Sequence, residues 1–79
     1  MKKIIIYTTS ICPYCDLAKN LLSRNNLQYE EINVEDEQAR NKMIEKAGGR
    51  RTVPQIFFDG FHVGGYDDLC KFLNTSGKL

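Results

Sequence analysis

The chain has 79 residues, enough for one domain with a small core, and the whole span 1–79 reads as that single domain. Hydrophobic residues make up 42% and charged residues 27%, an ordinary globular balance and not that of a disordered chain. The formal net charge of +1 gives no reason to expect nucleic acid or an acidic membrane surface as a partner. Lysines at 2 and 3 precede only a short apolar run, far below the length of a secretion signal or a membrane span. The expectation is a cytoplasmic protein in a reducing compartment. Three cysteines, an odd number, argue against a structural disulfide framework.

Lys3 to Thr8 is a continuous apolar, β-branched run, the pattern of a central strand covered on both faces. Thr8, Thr9, Ser10 and Ile11 make a short loop. Pro13 to about Asn25 is helical, with Leu17/Leu21 and Ala18/Leu22 as two i,i+4 pairs on one stripe. Asn25-Asn26 ends it, because Asn tolerates the left-handed conformation. Leu27 to Val34 is a second strand, polar enough for a sheet edge. A connection of helix length between two strands predicts a parallel pair with a right-handed crossover.

Glu35 to Ala47 predicts a second helix, acidic at its start and basic toward its end, with Ala39, Met43 and Ala47 repeating every four residues. Gly48-Gly49 stops it. Gln55 to Phe58 is a third strand, Asp59-Gly60 a two-residue hairpin, and Phe61 to Val63 the return strand. Gly64-Gly65 breaks the strand. Tyr66, Leu69, Cys70 and Leu73 share one face of a last helix from about Tyr66 to Leu73. Thr75 to Leu79 is expected to fray. The order β-α-β-α-β-β-α predicts an α/β fold, a four-stranded mixed sheet with helices on both faces.

The chemistry is concentrated at Cys12-Pro13-Tyr14-Cys15, at the turn from the first strand into the first helix. Residues i and i+3 lie on the same side of a helix start, so the two sulfurs can close a small ring. Cys12 falls at the N-cap and Pro13 at N1, where the missing N–H costs nothing. First-turn amides then point at the Cys12 sulfur and favour an anion there. Cys12 is expected to be a thiolate at neutral pH, below the free value of about 8.5. Cys15, a turn inside, is expected to be less exposed and less acidic. One cysteine attacks and the other resolves. The competing reading is half of a zinc site, but only Cys70 and His62 remain as ligands and their spacing makes no second pair.

Three stretches together resemble the dithiol glutaredoxins, and in particular the small bacterial ones: Cys12-Pro13-Tyr14-Cys15, Thr52-Val53-Pro54 and Gly64-Gly65-Tyr66-Asp67-Asp68-Leu69. Gln55-Ile56-Phe57-Phe58-Asp59-Gly60 is similar to their hairpin. The resemblance implies a thioredoxin-like fold and glutathione-dependent disulfide reduction. It implies Cys12 as nucleophile, Cys15 as resolving thiol and a cis bond at Val53–Pro54. It implies a glutathione site of Tyr14, Thr52, Val53, Pro54, Gly65, Tyr66 and Asp67. In that site the Val53 backbone pairs with the cysteinyl unit as an added strand would. The start of the last helix holds the γ-glutamyl carboxylate, Asp67 takes its ammonium group, and the Tyr14 ring covers the thioether.

Glutathione is then the reducing co-substrate, with no metal expected. The other partners implied are glutathionylated or disulfide-containing proteins, ribonucleotide reductase among the candidates, acting on a monomer. One departure stands out. Many members carry a Lys shortly before the first cysteine, and Thr8-Thr9-Ser10 holds no basic residue. Arg40, Arg50 and Arg51 are the candidate cations for the glycine carboxylate. His62 is expected to face outward, Cys70 to pack in the last helix, and Glu30-Glu31 to be a solvated edge. Two rival readings use the same cysteines. One is a redoxin reduced by thioredoxin reductase. The other is a carrier of an iron–sulfur cluster held by Cys12 and glutathione.

Overall fold

Strand β1 (Ile4–Thr8) is the middle of the molecule, and every one of its residues except Ile5 is buried. The computed structural model describes residues 3–77. Following β1 come α1 (Pro13–Arg24), β2 (Glu30–Asn33), α2 (Glu37–Lys46), β3 (Gln55–Phe58), β4 (Phe61–Gly64) and α3 (Tyr66–Gly77). The strands lie in the order β2-β1-β3-β4. β1 pairs parallel with β2 and antiparallel with β3, and β3 pairs antiparallel with β4. The expected element order and mixed sheet are therefore present.

Two apolar layers cover the sheet. Ile4, Ile6, Ile56 and Phe58 pack on one face against Ala18 and Leu22 of α1 and Leu69 of α3. Tyr7 and Phe57 pack on the other face with Val34 against Met43 and Ala47 at the α2 end. The alternation of Ile4 and Ile6 with Ile5 and Tyr7 along β1 separates the two layers, since successive side chains point to opposite faces.

Element ends differ from the sequence reading where side chains intervene. α2 starts at Glu37 and not at Glu35, because Asp36 caps it by accepting the Ala39 amide at 2.9 Å. Glu35 stays outside the helix, and its carboxylate receives the Ser10 amide at 3.1 Å and the Ser10 hydroxyl at 3.0 Å. β2 keeps only Glu30 to Asn33 of the expected strand. α3 runs on to Gly77, past the expected end at Leu73, so the residues expected to fray from Thr75 are helical as far as Gly77. Residues 78 and 79 lie outside the described residues.

The α1 terminus and the hairpin are as expected. Asn26 takes a positive φ of 58° just after α1, and Asp59 and Gly60 take φ of 50° and 85°. One feature of the sheet has no local sequence signal. The β3–β4 register shifts by one residue: Phe57 faces His62, yet Ile56 faces Gly64. Val63 is the extra residue, a β-bulge.

Candidate active site

The redox pair sits where β1 delivers the chain to α1. Cys12 is the N-cap of α1, with extended backbone and Pro13 at the first helical position. Its Sγ accepts the Cys15 amide at 3.1 Å. Cys12 and Cys15 are joined as a disulfide, with Cα atoms 5.2 Å apart. Cys15 has no exposed surface, whereas Cys12 is partly exposed. The geometry gives the two sulfurs unequal access to a substrate.

Beside the pair lies a groove of about 280 Å³, lined by Tyr14, Arg50, Thr52, Val53, Pro54, Gly65, Tyr66, Asp67 and Asp68. All seven residues that the sequence singled out around the cysteines are on its wall. The Val53–Pro54 peptide is cis. Among the described residues the Val53 N–H and C=O have no hydrogen-bond partner, so both are available at the groove wall. The Tyr14 ring is mostly exposed and lies 6.1 Å from the Tyr66 ring, centroid to centroid.

The far wall is the start of α3. Gly65 precedes the helix, and its amide is taken by the Asp68 carboxylate at 3.0 Å. That is one half of a capping box, a side chain three residues into the helix reaching back to its cap. The Gly65 amide, and after it the Arg50 guanidinium, hold the Asp68 carboxyl below its ordinary range. A Cβ at Gly64 would run into this carboxylate, and Gly64 has φ of 121°. The two adjacent acids thus divide: Asp68 is committed to the helix start and Asp67 is exposed on the groove.

Of the three candidate cations, Arg50 alone lines the groove, and its Nη1 lies 3.4 Å from Asp68 Oδ2. Arg40 is turned to the Val34 carbonyl from α2. Arg51 is exposed and does not line the groove.

Several residues depart from expectation. His62 does not face outward. It is partly buried, stacked on Phe57 with ring centroids 4.9 Å apart, and its Nε2 is 2.7 Å from Gln55 Oε1. Burial, and after it the nearby Arg50, lowers its pKa, with Asp68 opposing, so the neutral imidazole is favoured. Glu31 is not a purely solvated edge residue: it accepts the Thr8 hydroxyl at 2.6 Å and pairs with Lys19 at 3.0 Å. Cys70 is a free, partly buried thiol of α3. Among the described residues no group of three or more His, Cys, Asp or Glu side chains could hold a metal ion. No helix among them is long and apolar enough to cross a membrane.

A cysteine pair of unequal access, closing a disulfide at a helix N-terminus on a thioredoxin-like sheet, defines a thiol–disulfide oxidoreductase. Residues 4–63 match the glutaredoxin family model. The chain is 53% identical over 78 residues to glutaredoxin 1 of Rickettsia prowazekii, covering 96% of this chain and 81% of that protein. It is 45% identical over 79 residues to glutaredoxin 3 of Escherichia coli, covering 100% and 94%. Among solved structures it is similar to glutaredoxin 1 from Francisella tularensis complexed with cacodylate, at a TM-score of 0.82 and 32% identity over the whole of both chains. It is also similar to a buckwheat glutaredoxin–glutathione complex, at a TM-score of 0.81 and 27% identity over 99% and 73%. The chain belongs to the glutaredoxin family, the glutathione-dependent thiol–disulfide oxidoreductases.

Proposed function

We propose that Cys12 is the nucleophile and that the groove beside it takes the glutathione half of a mixed disulfide. The supporting observation is the N-cap position of Cys12 on the helix whose Tyr14 lines the same groove as the unpartnered Val53 backbone. In the reduced protein the Cys12 thiolate attacks the glutathione sulfur. The substrate thiolate leaves and takes up a proton, and Cys12 carries glutathione. The thiolate of a second glutathione attacks this disulfide and releases oxidised glutathione and the Cys12 thiolate. With a protein disulfide, Cys12 forms the mixed disulfide and Cys15 displaces the second substrate thiol. Two glutathiones then reduce the Cys12–Cys15 bond.

The groove residues divide the work. Tyr14, Thr52, Val53 and Pro54 hold the cysteinyl unit, with the Val53 N–H and C=O pairing with its backbone. The first-turn amides of α3 at Tyr66 and Asp67 hold the γ-glutamyl carboxylate, since the Gly65 amide is taken by Asp68, and the Asp67 side chain takes the ammonium group. Arg50 is the cation nearest these elements and the choice for the glycine carboxylate. We take the protein to act as a single-domain monomer in the cytoplasm on glutathionylated and disulfide-containing proteins, with ribonucleotide reductase as the first client to try.

The test is turnover of a glutathione mixed disulfide with glutathione, its NADPH-dependent reductase and either cysteine variant. Cys12→Ser loses at least 1,000-fold, on the order seen when an essential nucleophile is removed. Cys15→Ser keeps this activity and loses reduction of protein disulfides that need a resolving thiol. Activity retained by Cys12→Ser would move the nucleophile elsewhere. Turnover only with thioredoxin reductase would favour the rival redoxin.

A further inference from the structure

Gln55 is a polar side chain with no exposed surface, at the first position of β3. Such a group persists in a core when its donors and acceptor are met. Its Nε2 donates to the Thr52 carbonyl at 3.0 Å and lies 3.2 Å from Thr52 Oγ1. Its Oε1 is 2.7 Å from His62 Nε2. The direction of this chain follows from chemistry. A carbonyl cannot donate, so the Gln55 atom facing Thr52 is the nitrogen. The oxygen therefore faces His62, and His62 Nε2 carries the proton.

Placement depends on the sheet. Gln55, Phe57 and His62 share one face, and His62 faces Phe57 across the ladder and stands diagonal to Gln55. The Phe57 stack fixes the imidazole in that direction. Thr52 itself lies outside the strands. Among the described residues the Gln55 amide is its one hydrogen-bond partner. Thr52 is also the residue before Val53, whose backbone forms the groove wall.

We propose that Gln55, oriented by His62, is the positioning residue of the groove: it fixes Thr52, and through Thr52 the Val53 backbone that receives the cysteinyl unit. This rests on the glutathione reading of the groove given above. Without the His62 donor the buried Gln55 Oε1 has no partner, and the amide is held at its Thr52 end alone. Turned over, it would set Oε1 against the Thr52 carbonyl, two acceptors face to face. The loss falls on holding glutathione and leaves the Cys12 sulfur unaffected.

The experiment is steady-state turnover of a glutathione mixed disulfide, joined to NMR titration with S-methylglutathione. His62→Leu raises KM about three- to tenfold, the scale of one net hydrogen bond, and leaves kcat unchanged. His62→Gln keeps a donor at a similar reach and restores KM to within about twofold. Gln55→Met, apolar and of similar length, gives the same rise in KM and serves should His62→Leu not fold. Wild-type KM in both His62→Leu and Gln55→Met overturns the proposal. So does a loss carried by kcat, or a His62→Gln variant as impaired as His62→Leu. The titration separates the two readings. Shifts at the Val53 and Tyr66 amides of wild type with an unchanged variant KM remove only the positioning role. No shift at either amide in wild type removes the glutathione reading, and this inference with it.

Discussion

At the scale of single residues, the nucleophilic role proposed for Cys12 rests on what the backbone offers its sulfur. Cys12 caps α1, so its Sγ faces first-turn amides, and the Cys15 N–H is already aimed at it at 3.1 Å. In the reduced protein this arrangement stabilises a thiolate more than a thiol. The loop before it, Thr8-Thr9-Ser10, adds no cation. The helix start therefore carries the effect. Titrating the reduced protein by thiolate absorbance at 240 nm or by alkylation rate should give Cys12 a pKa below the ordinary thiol value of about 8.5. Turnover should rise with pH through that same pKa, since the thiolate is the reactive form. A Cys12 that titrates at or above the ordinary value would sink this account of its reactivity. This part of the site was legible in the sequence because it is local: strand, Cys, Pro and helix are contiguous. His62 and Gln55 were not legible, because their contact crosses two strands and depends on the register between them.

At the scale of elements, the ties that hold α1 to the sheet edge were hidden for the same reason. Glu31 of β2 accepts from the buried Thr8 hydroxyl in β1 and pairs with Lys19 of α1, joining three elements 12 and 23 residues apart in sequence. The adjacent acids Glu30 and Glu31 read alike in one dimension, but only Glu31 points to the α1 face. The Thr8 hydroxyl, and after it Lys19, holds the Glu31 carboxyl below its ordinary value of 4.5. A carboxyl depressed in the folded state stabilises above its unfolded pKa and loses that contribution as pH falls through the folded one. Glu31→Gln keeps an acceptor for Thr8 but removes the charge. With a partly exposed pair, the expected cost at pH 7 is about 0.5 kcal/mol, shrinking as the pH falls below 4.5. Urea unfolding of both proteins at pH 7 and pH 3.5 checks this, and an equal gap at both pH values would exclude the charge as its source. Within the acidic run 35–37, Asp36 alone has the short carboxylate that suits an N-cap, and it accepts the Ala39 amide, so α2 begins after it.

At the scale of the whole molecule, the site is assembled at one end of the sheet from three separate stretches: residues 12–15, 50–54 and 65–68. β1 and β3, the two central strands, hold the first two in register, and β4 hands the chain to the third. The order of elements was readable from hydrophobic periodicity and from Gly, Pro and Asn punctuation, because each of those signals is short in range. The distribution of roles around the groove was not. Asp67 and Asp68 are neighbours in unlike settings, one exposed on the groove and the other bonded to the Gly65 amide, and Arg40, Arg50 and Arg51 are alike in type but only one lines the groove. Which member of such a set matters is decided by helix phase and by the sheet, and neither is written in composition.

The bulge at Val63 acts as a phase-setter between two parts of a mechanism. Up to Phe57 the hairpin runs in one register, and beyond it β4 is one residue ahead. Deleting Val63 would restore an unbroken ladder, the more regular sheet. It would also start α3 one residue early relative to β3, carrying Gly65 and the Asp68 cap out of step with Val53. The deletion variant should keep a strand-and-helix circular dichroism spectrum and lose turnover of the glutathione mixed disulfide by tenfold or more, on the order expected when a binding wall is misplaced by about 1 Å. Unchanged turnover would mean that α3 finds its seat without the bulge. If the loss is seen, the irregular tooth in the sheet is what keeps the two halves of the groove in mesh.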